Sequence, residues 1–172
     1  MERCHECGFV YEDVRRDDIA SALRALSARY ATVLTDHDDV LRAHPLPDVW
    51  SALEYACHMR DVYRVQHERV LLALAEDQPA FASMRRDERV VEELYNEQQP
   101  SDVARETSEA AESLAGTLES LDDEGWNRTG IYNYPERRVR TVEWIGRHTV
   151  HEGEHHLGDI DRLIGLSHLN RE

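Results

Sequence analysis

A cluster of histidines and acids near the C-terminal end has the residue types and spacing of metal ligands. Thr141 to Leu166 reads TVEWIGRHTVHEGEHHLGDIDRLIGL and holds four of the ten histidines, His148, His151, His155 and His156, with Glu152, Glu154, Asp159 and Asp161. On a helix, Glu152 and His156 are one turn apart, with Cβ atoms about 5–6 Å from each other, so they can offer two donors to one ion. At about 100° per residue, Val142, Ile145, Val150, Leu157, Ile160, Leu163 and Ile164 share one arc, and Glu152 and His156 fall inside it. His148 and His155 fall at its edge and His151 further out, while Arg147, Glu154 and Asp161 lie opposite. A buried carboxylate is costly unless it is paired or binds a metal. The competing reading is a surface helix rich in His and acid. His58 is the candidate third ligand, one turn after Glu54, with Asp61 spaced to orient its ring. Cys57 beside it reads as a small core residue or a neighbour of the metal. At the other end, Cys4-His5-Glu6-Cys7-Gly8 is a Cys-x-x-Cys knuckle, which suits half a zinc site or a dithiol. No second Cys-x-x-Cys follows, so a tetrahedral site at Cys4 and Cys7 would need His5 or a distant ligand. The alternative is an arm that packs Phe9, Val10 and Tyr11 on the body.

These residues need long helices to position them. The pattern predicts helix one over 17–42, capped by Asp17 or Asp18, with Ile19, Leu23, Leu26, Tyr30, Val33, Leu41 and His37 on one stripe. His44-Pro-Leu-Pro47 breaks it. Helix two starts at a capping box, Ser51-Ala-Leu-Glu54, and runs to Ala75. Residues 76–100 form a long connection with a short helix over 87–95. Ser101 caps helix three, which ends near Leu121. Trp126, Ile131, Tyr132 and Tyr134 suggest an ordered loop or short hairpin between helices three and four, and Thr141 caps helix four. Gly146 and Gly153, seven apart on its inner arc, allow a neighbouring helix to come close. Long crossovers fit a four-helix bundle. The expected architecture is all-α, with a non-helical arm over 1–16 and one bundle domain over 17–172.

Composition narrows the partners. A net charge of −15 over 172 residues argues against nucleic acid and against an anionic membrane surface. No run is long and apolar enough to span a bilayer, and no signal peptide opens the sequence. Three cysteines, an odd number, suggest a cytoplasm in which thiols stay reduced. The expected partner is a small-molecule substrate, with a homodimer left open.

Trp50-Ser-Ala-Leu-Glu-Tyr-Ala-Cys-His58-Met-Arg-Asp-Val62 and Glu152-Gly-Glu-His-His156-Leu-Gly158-Asp159-Ile160 together resemble the DinB/YfiT-like superfamily of metal-binding four-helix bundles. The resemblance covers residues 15–166. Gly158 fixes the register and puts the helix-four ligands on Glu152 and His156, a His–Glu–His set with His58. That departs from the all-His version of the family and is similar to the branch containing mycothiol-dependent maleylpyruvate isomerase. The resemblance implies a divalent metal, zinc by its ligand types with nickel or iron also fitting. It further implies a low-molecular-weight thiol cofactor and a thiol S-transferase or isomerase reaction. His155 is then the candidate proton donor or acceptor, and His148 and Asp159 orient ligands. Arg137, Arg138 and Arg140 either bind an anionic substrate or form a solvated loop. Metal-dependent hydrolysis and a non-enzymatic metal-binding stress-response role are the alternatives.

Overall fold

The computed structural model describes residues 1–36, 40–133 and 136–169. In chain order the elements are α1 (Ile19–Asp36), α2 (Ala52–Ala75), α3 (Arg86–Glu92), α4 (Pro100–Glu119), α5 (Asp123–Asn127), β1 (Thr129–Tyr132), β2 (Arg138–Thr141) and α6 (Val142–Leu169). The four long helices form the bundle. α4 and α6 each pack on both α1 and α2, which places α1 and α2 at opposite corners. The core runs through Leu23, Tyr30, Leu53, Met59, Tyr63, Leu114, Leu118, Ile145 and Leu157.

Local chemistry explains most boundaries. The Ser51 side chain accepts from the Glu54 amide, and Glu54 accepts from the Ser51 amide, so the capping box at the start of α2 is complete. Thr141 Oγ1 accepts from the Trp144 amide at 3.1 Å and opens α6. Three boundaries differ from the sequence expectation. Helix one does not reach Arg42: α1 is described over Ile19–Asp36, and Leu41 sits in a turn where its carbonyl accepts from the Leu53 amide at 2.9 Å. Asp17 and Asp18 belong to a 3-10 turn before α1. Ser101 is not the cap of α4, because Gln99 holds that position and Pro100 fills the first turn, where no amide hydrogen is needed. His37 and Tyr134 lie outside the described residues.

Close approach on α6 is as the glycines suggested. A Cβ on Gly153 would come within 2.9 Å of Leu26 Cδ1, and one on Gly146 within 3.0 Å of Ile19 Cγ2. Tyr30 Oη donates to the Gly153 carbonyl at 3.0 Å and pins this part of α6 to α1.

The hairpin closes one end of the bundle. β1 and β2 pair antiparallel, with Thr129 opposite Thr141. Tyr132 is buried, and its hydroxyl accepts from Gln66 and Arg69 of α2 at 2.9 and 2.8 Å. The N-terminal arm is a small hairpin of its own. Cys4 N donates to Phe9 O at 2.9 Å and Gly8 N to Cys4 O at 3.0 Å, with Gly8 at φ +79°. Only a residue without a Cβ adopts that angle freely. Glu2 ties the arm to the body, accepting from Arg140 and from Trp144 Nε1.

Candidate metal centre

α2 and α6 run against each other and bring His58, Glu152 and His156 together. One donor atom from each lies within 4.8 Å of the other two. His58 is 3% exposed, His156 8% and the Glu152 side chain 24%. His156 Nε2 is 3.7 Å from Glu152 Oε2, while its Nδ1 is held by Asp159 Oδ2 at 3.1 Å. The His58 and His156 rings meet edge to face, with centroids 5.1 Å apart. His58 Nδ1 is buried with no hydrogen-bond partner among the described residues. Leaving such a group unsatisfied costs about 1–3 kcal/mol. An imidazole nitrogen orphaned beside a carboxylate and a second, carboxylate-oriented imidazole fits a divalent ion held by two nitrogens and one oxygen.

The charges are arranged to receive one. Burial pushes His58 down to about 3, so it is a neutral imidazole. Burial also opposes charge on His156, but hydrogen bonds to Asp159 and Glu152 prevail and lift it to about 9. Burial likewise opposes the Glu152 carboxylate, yet its bonds to His151 and His156 hold it well below the usual range. Without an ion the group therefore rests as a carboxylate–imidazolium pair beside a neutral ring. A divalent cation held by these residues would have to take the place of the His156 proton.

The rest of the neighbourhood sorts as follows. Trp50 flanks His58 and Tyr55 flanks His156, with ring centroids 5.2 and 5.1 Å away, and Arg86 stands 5.9 Å from the Trp50 ring. This aromatic rim was in the motif that carried the family resemblance, but helical periodicity gave it no role. Two shallow grooves of about 280 and 320 Å³ lie elsewhere, one between α2 and α4 and one beside the hairpin. Asp61 does not orient His58. Its carboxylate accepts from Arg60 at 2.9 Å, from Arg64 and Arg89 at 3.3 Å, and from Tyr95. Cys57 is buried against the Tyr95 carbonyl, and burial pushes its thiol up to about 12, so it is a core residue. Arg138 pairs with Glu136, and Arg140 pairs with Glu2 over the Trp144 ring, while Arg137 is exposed.

The other α6 histidines face the arm. His148 stacks on Trp144 at 4.6 Å and bonds Tyr11 Oη through Nδ1 at 2.9 Å, and burial lowers it to about 4. His151 was expected further out than its neighbours, yet it is buried, because Phe9 and Tyr11 cover it. A projection of α6 alone has no knowledge of the arm. His155 joins Cys4, Cys7 and His151 in one group whose donor atoms all lie within 4.8 Å of one another. His5 is not among them.

Fold and site together define a four-helix bundle with a His–Glu–His group between two of its helices. The DinB superfamily model matches residues 13–160, and the chain belongs to that superfamily. The structure is similar to that of YfiT from Bacillus subtilis, described as a probable metal-dependent hydrolase with an unusual four-helix bundle topology. The TM-score is 0.78 at 19% identity, covering 94% of this chain and 91% of that one. It is also similar to the mycothiol-dependent maleylpyruvate isomerase, with TM-score 0.67 at 14% identity, covering 91% of this chain and 68% of that one. No curated protein matches the chain.

Proposed function

We propose that this chain is a divalent-metal-dependent enzyme that transfers, or isomerises with the help of, a low-molecular-weight thiol of the mycothiol type. His58, Glu152 and His156 are its metal ligands. The observation that carries the reading is the grouping of one donor atom each from Glu152 and the buried His58 and His156 within 4.8 Å, with the His156 ring oriented by Asp159. The likeness to the mycothiol-dependent isomerase supports the thiol. Three protein ligands leave coordination positions open, the pattern of catalytic rather than structural zinc. When bound, the ion supplies a nucleophile at neutral pH by lowering the pKa of a thiol or a water.

The chain's own residues do the positioning. Asp159 fixes the His156 ring through Nδ1 and keeps Nε2 turned to Glu152. Trp50 and Tyr55 shield the histidines and offer apolar surface to a substrate. Arg86 lies over the Trp50 ring, 5.9 Å from its centroid, and adds positive charge beside the aromatic rim. His155 was the proton carrier expected from the sequence. Its ring lies 5.2 Å from that of His156, and the same ring is grouped with Cys4 and Cys7.

The likeness to YfiT favours a second reading, metal-dependent hydrolysis without thiol. One assay separates the two. Monochlorobimane is offered with mycothiol, bacillithiol, glutathione or cysteine to metal-loaded and metal-stripped protein. A thiol transferase consumes at least one thiol only when loaded. Rates equal to background with every thiol refute the transferase. Turnover of ester or amide substrates without thiol would then support the hydrolase, and neither activity would leave a metal-binding role.

A further inference from the structure

We propose that Cys4, Cys7, His151 and His155 form a second metal site, a closed Cys2His2 zinc site that fastens the N-terminal arm to α6. Among the described residues this is the one group of four donors that the fold brings within 4.8 Å of one another. A tetrahedral zinc with Zn–S near ~2.3 Å and Zn–N near ~2.0 Å has donor–donor edges of about 3.3–3.8 Å. Closing the group around an ion therefore needs side-chain shifts of about an ångström or less, with no change of backbone.

Each part of the group is already shaped for that ion. The arm's hairpin, bridged at Arg3 and Val10 and turned through Gly8, holds both thiols on one side of the knuckle. Both cysteines are free. On α6, His151 and His155 are one turn apart, offset by one residue from the Glu152/His156 pair. The same two turns of helix thus present two ligand pairs about 100° apart.

Each imidazole has one nitrogen engaged and the other vacant. His151 Nδ1 lies 3.3 Å from both Glu152 Oε1 and Tyr11 Oη, and its Nε2 is buried without a partner among the described residues. His155 Nε2 lies 3.5 Å from Glu6 and 3.7 Å from Asp159, and its Nδ1 is buried without a partner. A metal-bound histidine usually gives its other nitrogen to a carboxylate or similar acceptor.

Two consequences follow. Ligation through Nδ1 takes His155 out of proton transfer at the bundle centre and leaves Nε2 protonated toward Asp159. Glu152 also becomes shared, one oxygen facing His151 and the other His156, so the second site stiffens the turn that carries the bundle ligands.

The test uses full-length protein, stripped of metal under reducing conditions and titrated with cobalt(II). The site predicts a thiolate-to-cobalt charge-transfer band in the near ultraviolet and visible bands of tetrahedral intensity. The near-ultraviolet band should be lost in Cys4→Ser/Cys7→Ser, appear only at clearly higher free cobalt in His155→Ala, which keeps both thiolates but loses one ligand, and be kept in His58→Ala and His156→Ala. Zinc should also protect both thiols from iodoacetamide. His155→Ala is chosen because that side chain is only partly covered, and an unchanged helical circular dichroism spectrum guards against misfolding. Absence of the band in the wild type, unchanged cobalt affinity in His155→Ala, or equal alkylation with and without zinc would overturn the proposal. Loss of metal from the bundle ligands alone would leave it standing.

Discussion

Asp159→Asn is the most informative perturbation of the bundle centre, because it separates orientation from proton competition. Asp159 holds His156 Nδ1 at 3.1 Å, and with Glu152 it lifts that histidine to about 9. An ion must displace the proton, so at pH 7 a pKa near 9 weakens apparent affinity by about 100-fold. Asparagine keeps an oxygen acceptor for Nδ1 but removes the charge. The His156 pKa then falls back toward 6.5, and most of that penalty disappears at pH 7. Against this, loss of the supporting carboxylate lowers intrinsic affinity by about 10–100-fold. The two effects offset near pH 7, where variant and wild type should bind zinc within a few-fold of each other. Near pH 9 proton competition has largely gone, and the variant should be weaker by about tenfold or more. The assay is chelator-buffered zinc titration in a Cys4→Ser/Cys7→Ser background, so that the bundle ligands alone are read. A variant-to-wild-type affinity ratio that stays the same between pH 7 and 9 would refute the reasoning.

Metal-stripped protein should lose stability as pH rises. His156 has a folded pKa raised from 6.5 to about 9, so its contribution is complete below about 6.5 and lost through about 9. The loss amounts to about 3 kcal/mol at most, read as the difference between wild type and His156→Gln in urea unfolding at pH 6.5 and 9.5. Glu152 acts in the opposite sense: its pKa is depressed, so its contribution is present above the ordinary carboxylate range and lost only in acid. Asp61→Ala should destabilise by about 3–5 kcal/mol in the same assay, because it leaves the buried Arg60 without its 2.9 Å partner. Gly130→Ala should cost about 1–3 kcal/mol, since its Cβ would run into the ring of buried Phe81, which must move.

Much of this was legible in the sequence where one helix decides the outcome. Periodicity and the Ser51 and Thr141 caps located the ends of α2 and the start of α6, and the i, i+4 spacing picked Glu152 and His156. His58 was singled out as a possible third ligand and matched by the family resemblance, but no local pattern says which face of α2 meets α6. What stayed hidden depends on contacts distant in sequence. Tyr11 of the arm and His151 of α6 are 140 positions apart, so the burial of His151 and its grouping with Cys4, Cys7 and His155 could not be read from either segment alone. Asp61 was misread for the same reason, since its cationic partners Arg60, Arg64 and Arg89 and the Tyr95 hydroxyl outcompete His58. α1 ended early because Leu41 is claimed by the start of α2, a contact that periodicity within helix one does not contain.

The central claim is an ion held by His58, Glu152 and His156. It is tested most directly by an anomalous difference map, recorded at the zinc edge from crystals of zinc-loaded protein. The account predicts a peak between α2 and α6, at about 2.0–2.2 Å from one nitrogen of each histidine and one Glu152 oxygen. That peak should vanish in His58→Ala and in His156→Ala while the helices stay in place. Zinc-loaded crystals without a peak there, or with the peak intact in both variants, would contradict it.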